Sequence, residues 1–294
     1  MPVQVQGEVL SVRKVGAYTA MTVVAPGMAE LTRPGHFVAV QVGGPESSML
    51  LRRAFAIYDV KERGVYGGTV EFIFAVHGKG TAWLARRRPQ DKLDLVGPLG
   101  KPFRLPAQPV NATLVGGGYG SAPLLPLASS LRDRGCRVDF VLGAAGADRL
   151  FGQLDAKRIA TSIEVTTDDG SQGRRGRVSD VLPELLDRTA ADVVYACGPM
   201  AMLQAVTEIS TARGIPCQVA VEESMACGIG VCMTCVLPVV GDDGSTRMVR
   251  SCVEGPVFLG DRVRWDDVGS VPEDVVGSIT APSGQLLTTD QRSR

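Results

Sequence analysis

Short runs in which apolar and polar residues alternate, QVQGEVLSV, FVAVQV and VEFIFAV, fill the first third of the chain, and APG, RPGH and YGG interrupt them. Period-two runs between frequent turn signals predict an antiparallel barrel or sandwich over residues 1–105. Near residue 110 the pattern changes. Continuous apolar runs appear, ATLVGG, VDFVLGA, SIEVTTD and DVVYACG, and three of the intervals carry helical periodicity: APLLPLASSLRDRG, DVLPELLDR and MAMLQAVTEISTARG. Strands that are apolar on both faces and alternate with helices predict a covered parallel sheet over residues 106–215. Residues 216–262 show little periodicity and hold most of the cysteines. The last stretch, 263–294, is polar with scattered small residues and is expected to form a mobile tail, at least past Pro282. The expected class is therefore α+β and multidomain, with a small cysteine-rich third unit.

Composition narrows the function. With 294 residues, 45% hydrophobic and 21% charged, the chain has material for two or three cores. A formal net charge of zero offers no basic footprint for a phosphate backbone, so nucleic acid is not an expected partner. The N-terminal MPVQVQGEVLSV has no apolar targeting core, and no run approaches the roughly 18 apolar residues of a membrane span. The expectation is a cytoplasmic protein with no membrane contact. In that compartment thiols stay reduced, so clustered cysteines point to metal or redox chemistry before disulfides.

ESMACGIGVCMTC, residues 223–235, and a later thiol give the spacing C-x4-C-x2-C-x16-C through Cys227, Cys232, Cys235 and Cys252. An iron-sulfur cluster needs four converging thiolates and a loop without side-chain bulk that offers N–H groups to sulfur. CGIGVCMTC meets that description. Structural zinc usually pairs its ligands as two C-x2-C units, whereas C-x4-C-x2-C with a distant fourth cysteine is the plant-type 2Fe-2S spacing. Of the scattered thiols, Cys136 and Cys217 read as small buried hydrophobes.

Two glycine turns suggest a nucleotide. In LVGGGYGSAPLLPLA a strand ends in Gly116, Gly117, Gly118 and Gly120 before Ser121 to Pro123 open a helix, which presents backbone N–H groups to a diphosphate. The same turn also serves close strand-helix packing, and it is not the G-x-G-x-x-G fingerprint. YACGPMAML repeats the strand-turn-helix order at Cys197, Gly198 and Pro199. In the barrel half, LRRAFAIYD sets Arg53 before Phe55, and VHGKGTAWL sets Gly78, Lys79, Gly80 and Thr81 at a turn entering a helix, an arrangement able to hold phosphate. Taken alone, Arg53 reads as a solvated charge and Phe55 as core. His36 and His77 are the only histidines, too few for a nucleophile-base system, and no catalytic acid or base is assigned.

Taken in order, LRRAFAIY, GKGTAWL, GPLGKPF, LVGGGYGSAPLLPLA, TTDDGSQGRRGRVSDVL, YACGPMAML and EESMACGIGVCMTC resemble the iron-sulfur electron-transfer subunit of class B dihydroorotate dehydrogenase, within the ferredoxin-NADP reductase superfamily, over about residues 3–262. The resemblance implies an FAD-binding antiparallel β-barrel, an NAD-binding α/β domain and a small 2Fe-2S domain. It implies that Arg53 holds the FAD diphosphate and Phe55 lies against the flavin ring, with Gly78, Lys79, Gly80 and Thr81 as the phosphate turn. It sets Gly116 to Gly120 on the NAD side and Cys197 to Pro199 beside the nicotinamide. The family's R-P-x-S motif is altered here, with Ala54 for proline and Ala56 for serine. Losing that serine hydroxyl removes a hydrogen bond worth roughly 0.5–1.5 kcal/mol, so an altered flavin potential or rate is expected, with binding retained. A flavin stands between a two-electron hydride carrier and a one-electron cluster. The resemblance implies a partner catalytic subunit carrying FMN, a heterotetramer with two of each subunit, a role in pyrimidine biosynthesis, and docking near Cys232 to Cys235.

Two other readings stay open at this point. One is an NAD(P)H-dependent reductase subunit for another acceptor, such as ferredoxin, sulfide or a hydrogenase; some such relatives carry aspartate where this chain has Cys227. The other is a binding module without enzymatic activity, stabilised by zinc or a cluster, a view to which Ala56 lends weight. Arg149, Arg174 and Arg175 leave NAD and NADP both open.

Overall fold

The computed structural model describes residues 1–44, 47–62, 64 and 67–277. Six strands, β1 (Val3–Val15), β2 (Tyr18–Val24), β3 (Phe37–Val40), β4 (Arg53–Lys61), β5 (Thr69–Phe74) and β6 (Lys92–Leu99), close into a barrel in the order β1-β2-β5-β4-β3-β6. All its pairings are antiparallel. Helix α1 (Lys79–Leu84) links β5 to β6. Val9, Met21, Val38, Val40, Phe72, Phe74, Leu93 and Leu95 fill the barrel. Strand β3 reads FVAV with every residue buried, because Val38 and Val40 face the barrel interior while Phe37 and Ala39 join a second cluster with Leu99, Cys235 and Cys252. An outer barrel face is therefore part of the floor under the cysteine segment.

The second half forms around β7 (Asn111–Gly117), α2 (Leu124–Asp133), β8 (Arg137–Ala144), α3 (Gln153–Ile159), β9 (Ser162–Thr167), β10 (Arg174–Arg175), α4 (Val178–Thr189), β11 (Val193–Cys197), α5 (Met200–Thr211) and β12 (Cys217–Ala220). A hairpin, β13 (Val236–Val240) with β14 (Thr246–Arg250), precedes the short β15 (Val257–Leu259). The sheet order is β10-β9-β8-β7-β11-β12-β15, parallel except for β15. Adjacent residues of one strand serve opposite cores: Leu114 packs with Leu124, Leu127 and Phe140, Val115 with Val141, Leu182 and Leu203. Burial on both faces is the physical reason these strands read as continuous apolar runs.

Several details differ from the sequence expectations. The parallel sheet continues through Cys217–Ala220 and closes with β15, so part of the stretch expected to be a separate third unit belongs to the nucleotide sheet. Helix α2 begins at Leu124, because a 3-10 turn over Gly118–Ser121 comes first, held by the Ser121 hydroxyl on the Gly118 carbonyl at 2.8 Å. Residues 263–277, expected in a tail, pack against the fold: Val263 and Val275 are buried, and the Val276 N–H donates to Thr246 O at 2.9 Å. The stretch past Pro282 lies outside the described residues. No helix among the described residues is long and apolar enough to cross a membrane.

Candidate functional site

The barrel and the carboxyl edge of the parallel sheet enclose a cleft of about 680 Å³. Ala54, Phe55 and Ala56 of β4 line its barrel side, and Gly117, Gly118, Gly120, Cys197, Gly198 and Pro199 line the facing side. The expected flavin-side and nucleotide-side residues thus meet in one space. Gly116 is the exception: it sits behind the turn in β7, where a Cβ would lie 2.6 Å from Ser121 Cβ. A Cβ on Gly120 would lie 2.7 Å from Cys197 O, and one on Gly198 3.1 Å from the Gly117 backbone. The two turns therefore touch backbone to backbone, and glycine is required for that contact. Phe55 stacks on Phe72, with centroids 5.0 Å apart and planes 10° apart, while still forming part of the cleft wall.

A smaller depression beside the cleft gathers Arg53, His77, Gly78, Lys79, Gly80 and Thr81. The Thr81 hydroxyl oxygen accepts N–H groups from His77 at 3.0 Å and Gly78 at 3.2 Å, which fixes the turn. Arg53 hangs over Gly80, where a Cβ would come 3.0 Å from its Nε, so the missing side chain leaves room for the guanidinium. One positively charged fork above a turn of backbone amides is a donor set suited to a diphosphate.

Two residues in the main cleft carry chemistry that sequence reading missed. Tyr119 donates its phenol hydrogen to Glu222 Oε1 at 3.1 Å, joining the glycine turn to the residues just past β12. Burial, and then Glu222, hold that phenol well above its usual range. The same causes push the Cys197 thiol up to about 12, so it stays neutral at physiological pH. The signal for Glu222 in the sequence was its place directly after an apolar strand and before the cysteine loop.

The cysteine segment is built in two parts. Strands β13 and β14 pair in the register Val236↔Arg250, and the Ser251 N–H donates to Cys235 O at 2.8 Å. The sixteen intervening residues are thus a folded hairpin that returns Cys252 beside Cys235, and both thiols are only 2% exposed. Cys227 and the exposed Cys232 stand on a loop with left-handed residues at Gly228 (φ 73°), Gly230 (φ 85°) and Met233 (φ 58°). Cys227 Sγ accepts the Val231 N–H at 3.3 Å, and Arg250 anchors the loop by donating to Gly230 O at 2.9 Å.

Cys232 accepts hydrogen bonds beside Cys227, and Cys252 lies against Cys235 and also feels Cys227, so the four thiols form one neighbourhood with two closer pairs. Hydrogen bonds, the Thr234 hydroxyl first, draw Cys232 down to about 6, whereas burial, and then Cys235, push Cys252 up to about 12. Among the described residues no three His, Cys, Asp or Glu side chains converge on a single metal ion. The C-x4-C-x2-C spacing with a distant fourth cysteine matches a dinuclear iron centre better than the paired C-x2-C units of structural zinc. The Ser251 hydroxyl, adjacent in sequence to Cys252, is buried without a hydrogen-bond partner among the described residues. Ala54 packs against the apolar cluster of Phe37, Ala39, Leu99, Cys235 and Cys252 and also lines the cleft, so one small side chain borders both regions.

Residues 222–264 match the iron-sulfur cluster binding domain of dihydroorotate dehydrogenase B. The chain is 39% identical over 238 residues to the dihydroorotate dehydrogenase B (NAD(+)) electron transfer subunit of Geobacillus thermodenitrificans, covering 80% of this chain and 88% of that one. It is 38% identical to a probable counterpart from Methanopyrus kandleri, with coverages of 83% and 86%. Among solved structures, the NADH-dependent reduced ferredoxin-NADP oxidoreductase aligns with a TM-score of 0.76 at 30% identity, over 89% of this chain and 91% of that one. A ferredoxin NADP+ reductase from Neisseria gonorrhoeae, at 17% identity and a TM-score of 0.59 over 72% of this chain and 92% of that one, shares the fold. The thiol pairs, the shared cleft and these likenesses converge, and the chain belongs to the family of dihydroorotate dehydrogenase B (NAD(+)) electron transfer subunits.

Proposed function

We propose that the chain passes electrons between an FMN-containing dihydroorotate dehydrogenase catalytic subunit and NAD, in pyrimidine biosynthesis. The observation that carries this reading is Ala54, which lines the cleft and packs against the apolar cluster that includes the buried thiol pair. Cys227, Cys232, Cys235 and Cys252 would hold a 2Fe-2S cluster. Arg53, Gly78, Lys79, Gly80 and Thr81 would bind the FAD diphosphate, and Ala54, Phe55 and Ala56 would flank its ring. Gly116, Gly117, Gly118 and Gly120 would form or support the NAD turn, with Cys197, Gly198 and Pro199 beside the nicotinamide. Bound there, FAD would exchange electron pairs with NAD and single electrons with the cluster.

The chain's own residues bind and orient. Arg53 neutralises phosphate charge, and the Thr81 oxygen keeps the turn's amides in place. The backbone contact between Gly198 and the glycine turn fixes the distance between the two nucleotide-facing loops. Cys197 presents a neutral thiol, which adds no charge opposite a nicotinamide ring. Ala56 offers no hydroxyl at the flavin edge, which leaves solvent or the ligand itself to supply a hydrogen bond there.

Ile229, Val231, Met233 and Val253 are exposed around Cys232, Val231 by 76%. An apolar collar of this kind marks a surface that another protein covers, here the catalytic subunit, in an assembly of two copies of each chain in the cytoplasm. Copurification with that subunit tests the reading: dihydroorotate should then reduce NAD+. A complex that carries FMN yet never forms orotate favours a reductase for another acceptor, the reading to which the ferredoxin-linked structural relative lends support.

A further inference from the structure

The reading of the cleft as an NAD site leaves open how the chain tells NAD from NADP, which differ by one phosphate on the adenosine ribose. We infer that the carboxylate of Asp168 reads the 2′-hydroxyl of that ribose and excludes the 2′-phosphate. The inference rests on the NAD reading above and adds a residue to it.

Position comes from the sheet order. Strands β11, β7, β8 and β9 lie side by side, so the path along their carboxyl ends from Cys197 to Thr167 spans three strand spacings, about 14 Å. A nicotinamide beside Cys197 and a diphosphate on the Gly117–Gly120 turn of β7 carry the adenosine ribose over the ends of β8 and β9. There the cleft is lined by Ala144, Ala145, Arg149, Thr166, Asp168 and Arg177.

The charges in this corner are sorted by their partners. Asp169 is tied to Ser171, accepting its N–H at 2.9 Å and its hydroxyl at 2.6 Å. Asp180 accepts the Arg177 N–H at 2.8 Å, and Arg174 pairs with Glu184 at 3.8 Å. Arg174 and Arg175 do not line the cleft, and Arg174 is turned to Glu184. Asp168 is exposed, lines the cleft, and its carboxylate has no hydrogen bond or ion pair among the described residues. Two residues earlier, Thr166 also lines the cleft, and its hydroxyl is buried without a hydrogen-bond partner among the described residues. A free carboxylate accepts hydrogen bonds from ribose hydroxyls and repels a phosphate in the same place. Arg149 and Arg177 then serve the diphosphate, whose charge both coenzymes share.

Hydrogen bonds tie this corner to the barrel. Tyr18 donates its hydroxyl to Arg149 O at 2.8 Å and the Ala17 N–H donates to Asp148 O at 3.0 Å, clamping that loop to the barrel. The Ala147 N–H donates to Ser171 Oγ at 2.8 Å, joining it to the loop that carries Asp168.

Calorimetry with ADP-ribose and 2′-phospho-ADP-ribose, two redox-inert probes, on the full chain loaded with its cofactors tests the inference. The natural protein should bind ADP-ribose at least about tenfold more tightly. Asp168→Asn, at an exposed and unbonded position, should keep the fold and bring the two probes within about threefold of each other, and Asp168→Arg should reverse the order. Arg149→Ala should weaken both probes by a similar factor. An unchanged preference in Asp168→Asn, a natural preference for the 2′-phosphate, or an Arg149→Ala loss confined to the phosphorylated probe would each overturn the assignment while leaving the nucleotide cleft standing. Binding of neither probe would instead remove the NAD reading itself.

Discussion

The two thiol pairs sit within one short segment and are held in opposite ways. Cys235 and Cys252 are buried against Phe37, Ala39 and Leu99 of the barrel and are brought together by hairpin hydrogen bonds, so their positions are a property of the fold. Cys227 and Cys232 depend on a surface loop with three left-handed residues, an N–H on sulfur and an arginine anchor. One pair belongs to the core, the other to a rim, and in the proposed function both would ligate. The inner pair shares its apolar cluster with Ala54, which lines the cleft, and the outer pair lies nearer solvent and the apolar collar. A centre bridging them would have one side fixed near the proposed flavin cleft and one side towards the proposed partner surface.

Breaking the pairs separately should expose that difference. Cys252→Ser should lose the cluster and also destabilise the chain by about 1–3 kcal/mol, because a hydroxyl is buried where a thiol packed. Cys232→Ser, at an exposed position, should leave the urea midpoint of the cluster-free chain unchanged; equal losses in the two variants would erase the distinction. Gly230→Ala acts on the rim alone. Its φ of 85° and a Cβ 2.5 Å from Val253 Cγ2 predict about 1–2 kcal/mol of local strain, seen as faster iron release with little change in barrel unfolding. Val231→Lys should weaken the complex with the catalytic subunit by roughly tenfold, measured by interferometry, while the visible spectrum of the isolated chain stays as it was. The smallest effect lies far from the thiols. Burial, and then Arg33, lower His36 from 6.5 to about 4, so the folded barrel refuses a proton that the unfolded chain accepts. That stability is complete above pH 6.5 and declines as the pH falls from 6.5 towards 4. His36→Gln should flatten this part of the dependence of the urea midpoint on pH, and an unaltered slope would refute it.

Much of this organisation was legible in the residues because the signals were local. Alternation in QVQGEVLSV and VEFIFAV reports a face-in, face-out barrel wall, and ATLVGG and DVVYACG report strands covered on both sides. The cysteine spacing reports its chemistry directly. What escaped is non-local. Strand β12 is four residues long and joins the sheet only through pairing with β11 and β15, so nothing in CQVA marks it. Helix α3 is seven residues with one buried side chain, too short for a clear period. Ala54 looked like the loss of a family proline, and its place against the cluster that holds Cys235 and Cys252 depends on its pairing with Ala39 of β3. Tyr119, Glu222 and Asp168 sit at strand ends whose convergence only the sheet order creates.

The central claim is that four sulfurs in two pairs hold two irons at the wall of a flavin cleft. Mössbauer spectroscopy of the anaerobically purified, iron-57-labelled chain, with metal and flavin analysis of the same sample, tests it most directly. The account predicts two irons and one FAD per chain, with two iron sites of unequal environment after one-electron reduction, the inequality following from the buried and exposed pairs. A flavin-free protein holding one zinc and no iron would contradict it.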